Sequence, residues 1–198
     1  MVRDGTVLAQ EATELEGPCM ADEGNPTDAV LIRRFAQGDE RSFVGLYRRH
    51  SPPVYGLLCR LVGPYESEAG DLLQETWIRA ASRLTAFRGD ATFRTWLTGI
   101  ALNCYREWRR RSGRHPVVEL DDAAVLSEAD PDPDVHRVLE GLPPAFREIL
   151  VLHDVEGYTH DEIARLIEIE PGTSKSRLSR ARELFRRRWL SPVGADHD

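Results

Sequence analysis

Residues 158–188 read Tyr-Thr-His-Asp-Glu-Ile-Ala-Arg-Leu-Ile-Glu-Ile-Glu, then Pro-Gly, then Thr-Ser-Lys-Ser-Arg-Leu-Ser-Arg-Ala-Arg-Glu-Leu-Phe-Arg-Arg-Arg. Thr159 and Glu162 have the spacing of a capping box, in which the hydroxyl and the carboxylate each accept a hydrogen bond from a free backbone amide at the start of a helix. The Pro-Gly pair should end this first helix, and Thr173 is expected to cap a second one. The stretch therefore predicts two helices joined by a tight turn.

The second of these helices is predicted to have one packing face and one polar face, because successive side chains turn by about 100°. The packing face consists of Ser174, Leu178, Ala181 and Phe185. The polar face includes Lys175, Ser176, Ser179, Arg180, Arg186 and Arg187. Residues 154–170 carry six acids and one base, whereas residues 171–190 carry seven bases and one acid. This pattern favours a helix-turn-helix over its alternative, a surface helical hairpin whose charged face is merely solvated.

The net charge of −7 hides an uneven distribution of acids and bases along the 198 residues. Residues 1–27 carry six acids and one base, and residues 112–134 carry seven acids and one base. Residues 28–111 carry fourteen bases and nine acids, and residues 135–190 carry ten bases and nine acids. Because the acids concentrate outside these two blocks, the overall charge does not exclude binding to nucleic acid.

The same segments define the domain organisation. Residues 1–27 lack an apolar period and predict a disordered tail, and residues 112–134 predict a flexible acidic linker rich in proline. Residues 28–111 and 135–190 show helical periodicity, and residues 191–198 form a short tail. No strand pattern is evident. We therefore predict an all-α fold of two small helical domains joined by the linker, with the helix-turn-helix in the second domain.

Three further features bear on the class of protein. The chain has no run of about 20 apolar residues that could span a membrane, and its start lacks the pattern of a signal peptide. Cys19, Cys59 and Cys104 are scattered without metal-ligand spacing, which is typical of free thiols in a reducing compartment. The sequence contains no glycine-rich phosphate loop and no Gly-x-Ser-x-Gly motif. We expect a cytoplasmic binding protein without metal or cofactor, and an enzyme is the disfavoured alternative.

The predicted helix from Asp71 to Leu84 has two distinct faces. Its core side consists of Leu73, Trp77, Ala80 and Leu84. Its other side consists of Asp71, Glu75, Ile78 and Ser82, flanked by Leu72 and Arg79. Exposed aliphatic side chains among ordered charges favour a partner-binding surface, although a solvated face is the more usual outcome.

A loop at residues 87–91 precedes a predicted helix from Thr92 to Arg111. Its exposed stripe, about 120° from the buried side, consists of Trp96, Asn103, Arg106 and Arg110. An indole, an amide and two guanidinium groups suit stacking on unpaired bases beside phosphates. The alternative is a tryptophan half-buried against a neighbouring helix.

Three stretches in register resemble the bacterial RNA polymerase sigma factors of the extracytoplasmic-function group. The first two are Asp71-Leu-Leu-Gln-Glu-Thr-Trp and Phe87-Arg-Gly-Asp-Ala-Thr-Phe-Arg-Thr-Trp-Leu. The third consists of Leu142-Pro-Pro-Ala-Phe-Arg-Glu, Glu156-Gly-Tyr-Thr, Glu162-Ile-Ala and Pro171-Gly-Thr-Ser-Lys-Ser-Arg-Leu-Ser-Arg-Ala-Arg. The likeness covers residues 28–190, with departures at Gly70, Leu102, Glu168 and Ser174, where the family often has Glu, Arg, Gly and Val.

The resemblance implies a role for each stretch. Contacts with core RNA polymerase would come from Asp71, Leu72, Gln74, Glu75 and Ile78. Recognition and melting of the minus-ten element would use Arg88, Gly89, Asp90, Trp96, Asn103, Arg106, Arg109 and Arg110. Reading of the minus-thirty-five element would use Thr173, Lys175, Ser176, Arg177, Ser179 and Arg180.

The resemblance also implies the function and the partners. Such a protein binds core RNA polymerase, directs it to promoter DNA and helps to melt the start site, without catalysis of its own. An anti-sigma factor is a further candidate partner, since family members are often held inactive by one. The alternative within DNA binding is a stand-alone helix-turn-helix regulator, which would leave the Asp71–Ile78 face and the Trp96 stripe unexplained.

Overall fold

The computed structural model describes residues 26–63, 65–113 and 135–190. Nearly all of the predicted N-terminal tail, most of the predicted linker and the short C-terminal tail lie outside these ranges. Every secondary-structure element within them is helical. The first block contains α1 (Asp28–Ala36), α2 (Glu40–Val62), α3 (Glu66–Arg83), a 3-10 turn (Leu84–Ala86) and α4 (Phe93–Arg111). The second block contains α5 (Val135–Glu140), α6 (Pro144–Leu150), a π-helical turn (Val151–Val155), α7 (His160–Ile167) and α8 (Pro171–Leu190).

Helix α2 is the longest element of the first block and starts at a side-chain cap. The Asp39 carboxylate accepts hydrogen bonds from the Arg41 amide at 3.1 Å and the Ser42 hydroxyl at 2.7 Å. The helix runs through Pro52 and Pro53 without a break and continues to Val62. Both prolines are exposed, and the buried leucines of the following turns offset the backbone hydrogen bonds that proline removes.

The helix-turn-helix is present, and its first helix starts as predicted. Thr159 and Glu162 form the capping box, with the Thr159 amide donating to the Glu162 carboxylate at 2.9 Å. α7 ends at Ile167, and its C-cap Glu168 has a left-handed φ of 54°, a conformation that is unfavourable for any residue with a Cβ. The predicted cap at Thr173 is wrong, because α8 already begins at Pro171. Proline suits the first turn of a helix, since the amide that it lacks would have no partner there.

The two blocks share one hydrophobic core and pack against each other. Leu46, Leu58 and Leu97 in the first block, and Ile149 and Ile163 in the second, are fully buried members of the same cluster. α2 contacts α5 and α6, and α4 contacts α7. The sequence predicted two separate domains and gave no sign of this contact.

Candidate nucleic-acid interface

α8 has the two faces expected of a recognition helix. Ser174, Leu178 and Ala181 are at most 3% exposed, and they hold the helix against the rest of the second block. The polar set Lys175, Ser176, Ser179 and Arg180 is exposed, while Thr173 and Arg177 are half-buried. This confirms the predicted faces and leaves a basic surface open to solvent.

Two contacts fix the orientation of α8. Arg182 donates through Nε to the Asp154 carboxylate of the π-helical turn at 2.9 Å, and this partner holds the pKa of Asp154 below its ordinary value. Ser174 takes the place of the family's usual valine, and its hydroxyl lies 2.9 Å from Nδ1 of His160 in α7. The departure from an apolar residue thus supplies a polar link between the two helices.

The loop before α4 and the start of that helix form a concave surface. Thr92 caps α4, accepting from the Thr95 amide at 3.1 Å. The loop residues Arg88, Gly89 and Asp90 are exposed, and Gly89 adopts a φ of 79°. Apart from Gly89 itself and its two neighbours in the chain, no heavy atom lies within 4 Å of the position that a Gly89 Cβ would take, so the space beside the loop is open.

Trp96 lines this concave surface and is half-buried. Its ring packs against Phe87 and Phe93, with centroid separations of 5.3 Å and 5.5 Å. Trp96 and the exposed Asn103 also line a cleft of about 700 Å³. The indole is thus partly buried against its neighbours and also borders the cleft, and its stacking on unpaired bases stays a prediction.

The opposite wall of the cleft belongs to the second block. It is formed by Glu162, Arg165, Leu166 and Glu168 of α7 and its C-terminal cap. At Gly99, a Cβ would lie 3.5 Å from Cδ2 of Leu166. Part of the stripe predicted for α4 therefore lies beside α7, whereas Asn103 and Arg110 are exposed.

The three arginines predicted to hold phosphates differ in their surroundings. Arg106 donates through Nε and Nη2 to the Glu148 carboxylate of α6, at 3.1 Å and 2.8 Å. Arg109 lies over the Tyr105 ring, 5.7 Å from its centroid, and Arg110 is exposed. Burial raises the pKa of Glu148, and the positive charge of Arg106 opposes that rise. Arg106 is therefore not free to contact DNA in this arrangement.

The predicted docking face on α3 is open apart from one residue. Asp71, Gln74 and Ile78 are exposed. Glu75 accepts from Arg79 at 2.7 Å, and the same guanidinium bonds both oxygens of Glu107 in α4. These acids raise the pKa of Arg79 and keep it charged.

The burial of Leu72 differs from the sequence prediction, which placed this residue on the docking face. Its side chain is 4% exposed and belongs to the core, whereas Leu73, assigned to the core from the sequence, is only partly buried. The helix is rotated so that Leu72 shares the inner face with Trp77 and Ala80. A partner cannot contact Leu72 directly unless the core opens, so the exposed docking face consists of the other four residues.

Sequence reasoning missed the residues that join the two blocks. The buried Arg147 guanidinium donates to the carbonyl oxygens of Leu61 at 2.9 Å and Leu139 at 2.8 Å. Tyr158 donates its hydroxyl to Thr98 of α4 at 2.9 Å. The Leu61 and Thr98 partners in the first block lie 86 and 60 residues away in the chain, so no local spacing could have revealed these pairings.

The described part of the chain contains neither a candidate metal site nor a candidate membrane-spanning helix. Within residues 26–63, 65–113 and 135–190, no group of three His, Cys, Asp or Glu side chains is placed to bind a metal ion. Among the helices of these ranges, none is both long and apolar enough to cross a membrane.

Comparison with known proteins gives matches to both blocks. The family model of sigma-70 region 2 matches residues 46–115, and the model of sigma-70 region 4 matches residues 134–185. The ECF RNA polymerase sigma-E factor of Haemophilus influenzae is 31% identical over 178 residues, which cover 80% of this chain and 93% of the relative. The sigma-E factor of Escherichia coli K12 is 32% identical over 177 residues, covering 79% and 91%.

Solved structures show the same fold. The complex of CnrH with the cytosolic domain of CnrY contains a chain 26% identical to this one, with a TM-score of 0.59, covering 81% of this chain and 95% of that chain. The sigma factor RpoE of Bartonella quintana, solved with the anti-sigma factor NepR, is 24% identical with a TM-score of 0.61, covering 74% and 96%.

The two family models together span more than half of the chain, and the relatives are matched over nearly their whole length. The all-helical fold, with a helix-turn-helix in the second block, agrees with this match. The protein is a sigma factor that directs RNA polymerase to promoters, and it belongs to the extracytoplasmic-function group of that family.

Proposed function

We propose that the two blocks divide the work of promoter recognition. Residues 28–111 act as the region that docks on core polymerase and opens the minus-ten element, and residues 135–190 act as the region that reads the minus-thirty-five element. The observation that carries this division is the pair of polar surfaces on separate elements. One is the basic face of α8, and the other is the Trp96–Asn103 side of the cleft beside the Arg88 loop.

The face of α8 suits insertion into the major groove. Arg180 and Ser176 are exposed near the middle of the face and read base edges, since a guanidinium bonds guanine at two points. Lys175 and Arg177 bind phosphates, which adds affinity without sequence preference. Thr173 and Ser179 flank them as further polar contacts to DNA.

The surface around Trp96 suits an unpaired strand. The open space beside Gly89 accepts an extruded base, with Arg88 and Asp90 at its rim. The indole supplies a stacking surface, and Asn103 supplies an amide for a base edge. Arg106, Arg109 and Arg110 would follow the backbone, once Arg106 has left Glu148.

The exposed part of α3 forms the docking surface for core polymerase. Ile78 is 57% exposed among Asp71, Gln74 and Glu75. An aliphatic side chain surrounded by ordered polar groups is suited to a protein interface, where the apolar centre is desolvated and the polar rim sets the orientation. The ion pairs of Arg79 with Glu75 and Glu107 hold this surface in place.

The protein has no catalysis of its own, because RNA synthesis belongs to the polymerase. It acts in the cytoplasm, where the polymerase and the promoter are present. An anti-sigma factor holds it inactive, a hypothesis supported by the solved relatives, which are bound to the anti-sigma factor NepR in one case and to the cytosolic domain of CnrY in the other.

Transcription in vitro with purified core polymerase tests the proposal. The full chain should direct specific initiation from its promoter, and core polymerase alone should not. A stand-alone regulator would bind DNA by itself and would change transcription only when another sigma factor is present. Specific initiation that needs a second sigma factor would therefore overturn the proposed function.

A further inference from the structure

Two histidine rings lie against each other where the π-helical turn, α7 and α8 meet. The rings of His153 and His160 have centroids 4.7 Å apart and planes inclined by 33°. His153 belongs to the π-helical turn, and His160 is the first residue of α7. Both residues are half-buried, so part of each stays open to solvent. Because histidine changes its charge near neutral pH, the pair can switch a charge beside the recognition helix.

Each ring is held through one nitrogen, and its other nitrogen is open. Nδ1 of His153 lies 2.8 Å from the Asp154 carboxylate, and Nδ1 of His160 lies 2.9 Å from the Ser174 hydroxyl. In the part of the chain that the structure describes, Nε2 of neither ring takes part in a hydrogen bond. A carboxylate only accepts, so neutral His153 keeps its proton on Nδ1 and can donate from Nε2 only when the ring is protonated.

The position of His160 in the helix-turn-helix brings the pair close to the path of DNA. When the second helix of such a motif enters the major groove, the first helix crosses the phosphate backbone. His160 begins that first helix, and its partner Ser174 directly precedes Lys175, which is exposed and assigned to phosphate binding. A phosphate held by Lys175 therefore lies beside the open Nε2 atoms of the two rings.

The charged groups around the pair come from all three elements that meet there. Besides the two histidines, they are Asp154 of the π-helical turn, Asp161 of α7, and Lys175 and Arg182 of α8. With one proton on the pair, three positive charges stand against two carboxylates, and Asp154 is already bound by Arg182 at 2.9 Å. A second proton would add repulsion between rings only 4.7 Å apart. A phosphate would supply the missing negative charge.

The free protein holds this proton weakly. Partial burial lowers the pKa of His160, and the neighbouring positive charges lower it further. His160 is therefore mostly neutral in the free protein at neutral pH. An added phosphate acts in the opposite direction, because a nearby negative charge favours the protonated form of a histidine.

We propose that His153 and His160 form a proton-linked phosphate contact, in which the pair takes up one proton as α8 binds the minus-thirty-five DNA. The inference rests on the proposed binding of DNA by α8. The phosphate accepts a hydrogen bond from a protonated Nε2 and offsets the positive charge of the cluster. By linkage, DNA and the proton each tighten the binding of the other, so DNA affinity rises as pH falls from about 8 to about 6.

Three substituted proteins test the contact. The double variant His153→Gln, His160→Gln removes both titrating groups and keeps polar side chains. His160→Lys fixes a positive charge at this place at every pH in the assay. The matched control is His136→Gln, because His136 is an exposed histidine of α5 and is not among the groups that act on His160.

Fluorescence anisotropy on the full chain measures binding to a labelled duplex of mixed sequence, about two helical turns or roughly 20 base pairs long. Mixed sequence suffices because phosphate contacts carry no sequence information. We expect wild type and His136→Gln to bind about three- to tenfold more tightly at about pH 6 than at about pH 8, since one proton contributes at most about tenfold per pH unit. The double variant should bind at every pH as wild type does at about pH 8. His160→Lys should bind at every pH as wild type does at about pH 6.

Isothermal titration calorimetry in two buffers of different ionisation enthalpy measures the protons taken up on binding at about pH 6.5. Wild type should take up a substantial fraction of one proton, and the double variant should take up none. A pair that merely stabilises the helix-turn-helix would not produce this uptake. If the double variant does not fold, His160→Lys decides, since tighter binding at about pH 8 cannot result from weakened folding.

Equal pH dependence or equal proton uptake in wild type and the double variant would overturn the proposal. So would a folded His160→Lys that binds no more tightly than wild type at about pH 8. Failure of the proposed function would be distinct, because Lys175→Ala would then leave the affinity at about pH 8 unchanged. If α8 binds DNA and only the histidine contact is absent, Lys175→Ala weakens binding while the pH dependence of wild type matches that of the double variant.

Discussion

Nδ1 of His160 and the hydroxyl of Ser174 lie 2.9 Å apart and join the two helices of the helix-turn-helix. The His160 ring also lies against that of His153, with centroids 4.7 Å apart. Partial burial lowers the pKa of His160 below its usual value of 6.5. The neighbouring His153, Lys175 and Arg182 lower this pKa further. The folded state therefore binds the His160 proton less readily than the unfolded state does.

This difference predicts a dependence of stability on pH. Because the unfolded state binds more protons, the free energy of unfolding should fall as pH drops through about 6.5, and should be independent of His160 above that value. We expect wild type to lose stability between about pH 7.5 and about pH 5.5 in urea denaturation, and His160→Gln to lose less. Equal losses in both proteins would contradict the assignment to His160.

The second prediction separates base reading from phosphate binding on α8. Arg180→Ala should relax sequence preference in the minus-thirty-five element, since a good bidentate contact discriminates between bases by about 1–3 kcal/mol. Lys175→Ala should weaken binding to all sequences alike and reduce the dependence of affinity on salt. Competition assays with single-base variants of the element, repeated at several salt concentrations, measure both effects. Uniform weakening by both substitutions would refute the division of roles.

The third prediction concerns the docking surface on α3. Ile78→Asp places a charge at the centre of the proposed apolar contact and should abolish binding to core polymerase. The thermal melting point should change little, because Ile78 is 57% exposed in the free protein. Val155→Asp is the matched control, since Val155 is 47% exposed and lies in the second block. Binding is measured by co-elution with core polymerase, and equal loss in the two variants would argue against a specific role for α3.

The sequence predicted best those features that depend on neighbouring residues. The capping box of Thr159 and Glu162 needs only a spacing of three residues, and it is present as expected. The Thr173 cap failed because Pro171 can itself occupy the first turn, so that two starting points were compatible with the same pattern. Leu72 and Leu73 differ by only about 100° around the helix, and periodicity alone assigned the core to the wrong one.

Contacts between the blocks could not be predicted in this way. Arg106 has the spacing of an exposed DNA-binding residue, and its carboxylate partner lies 42 residues further along the chain. Many other acids in the sequence could have served as that partner equally well. Only the three-dimensional structure identifies Glu148 as the partner of Arg106.

The last prediction concerns the opening of promoter DNA. Trp96 packs one side on Phe87 and Phe93 and presents its remaining surface to the cleft. Stacking on an aromatic ring contributes about 1–3 kcal/mol per base, which is comparable with the cost of unstacking one step of the duplex. Trp96→Ala should therefore still bring polymerase to the duplex promoter but fail to hold the open complex, as measured by permanganate reactivity of unpaired thymines.

The matched variant for this position is Trp96→Phe, which keeps an aromatic surface and should retain much of the open complex. A premelted template should restore transcription by Trp96→Ala, because the unstacking has then been done beforehand. The competing explanation is that Trp96 acts only by packing on Phe87 and Phe93. In that case, Trp96→Ala should impair transcription only through its lower stability, and the premelted template should restore nothing. The premelted template distinguishes the two explanations, because Trp96→Ala loses its packing on Phe87 and Phe93 in either case, and a melting curve recorded beside the permanganate assay measures that loss.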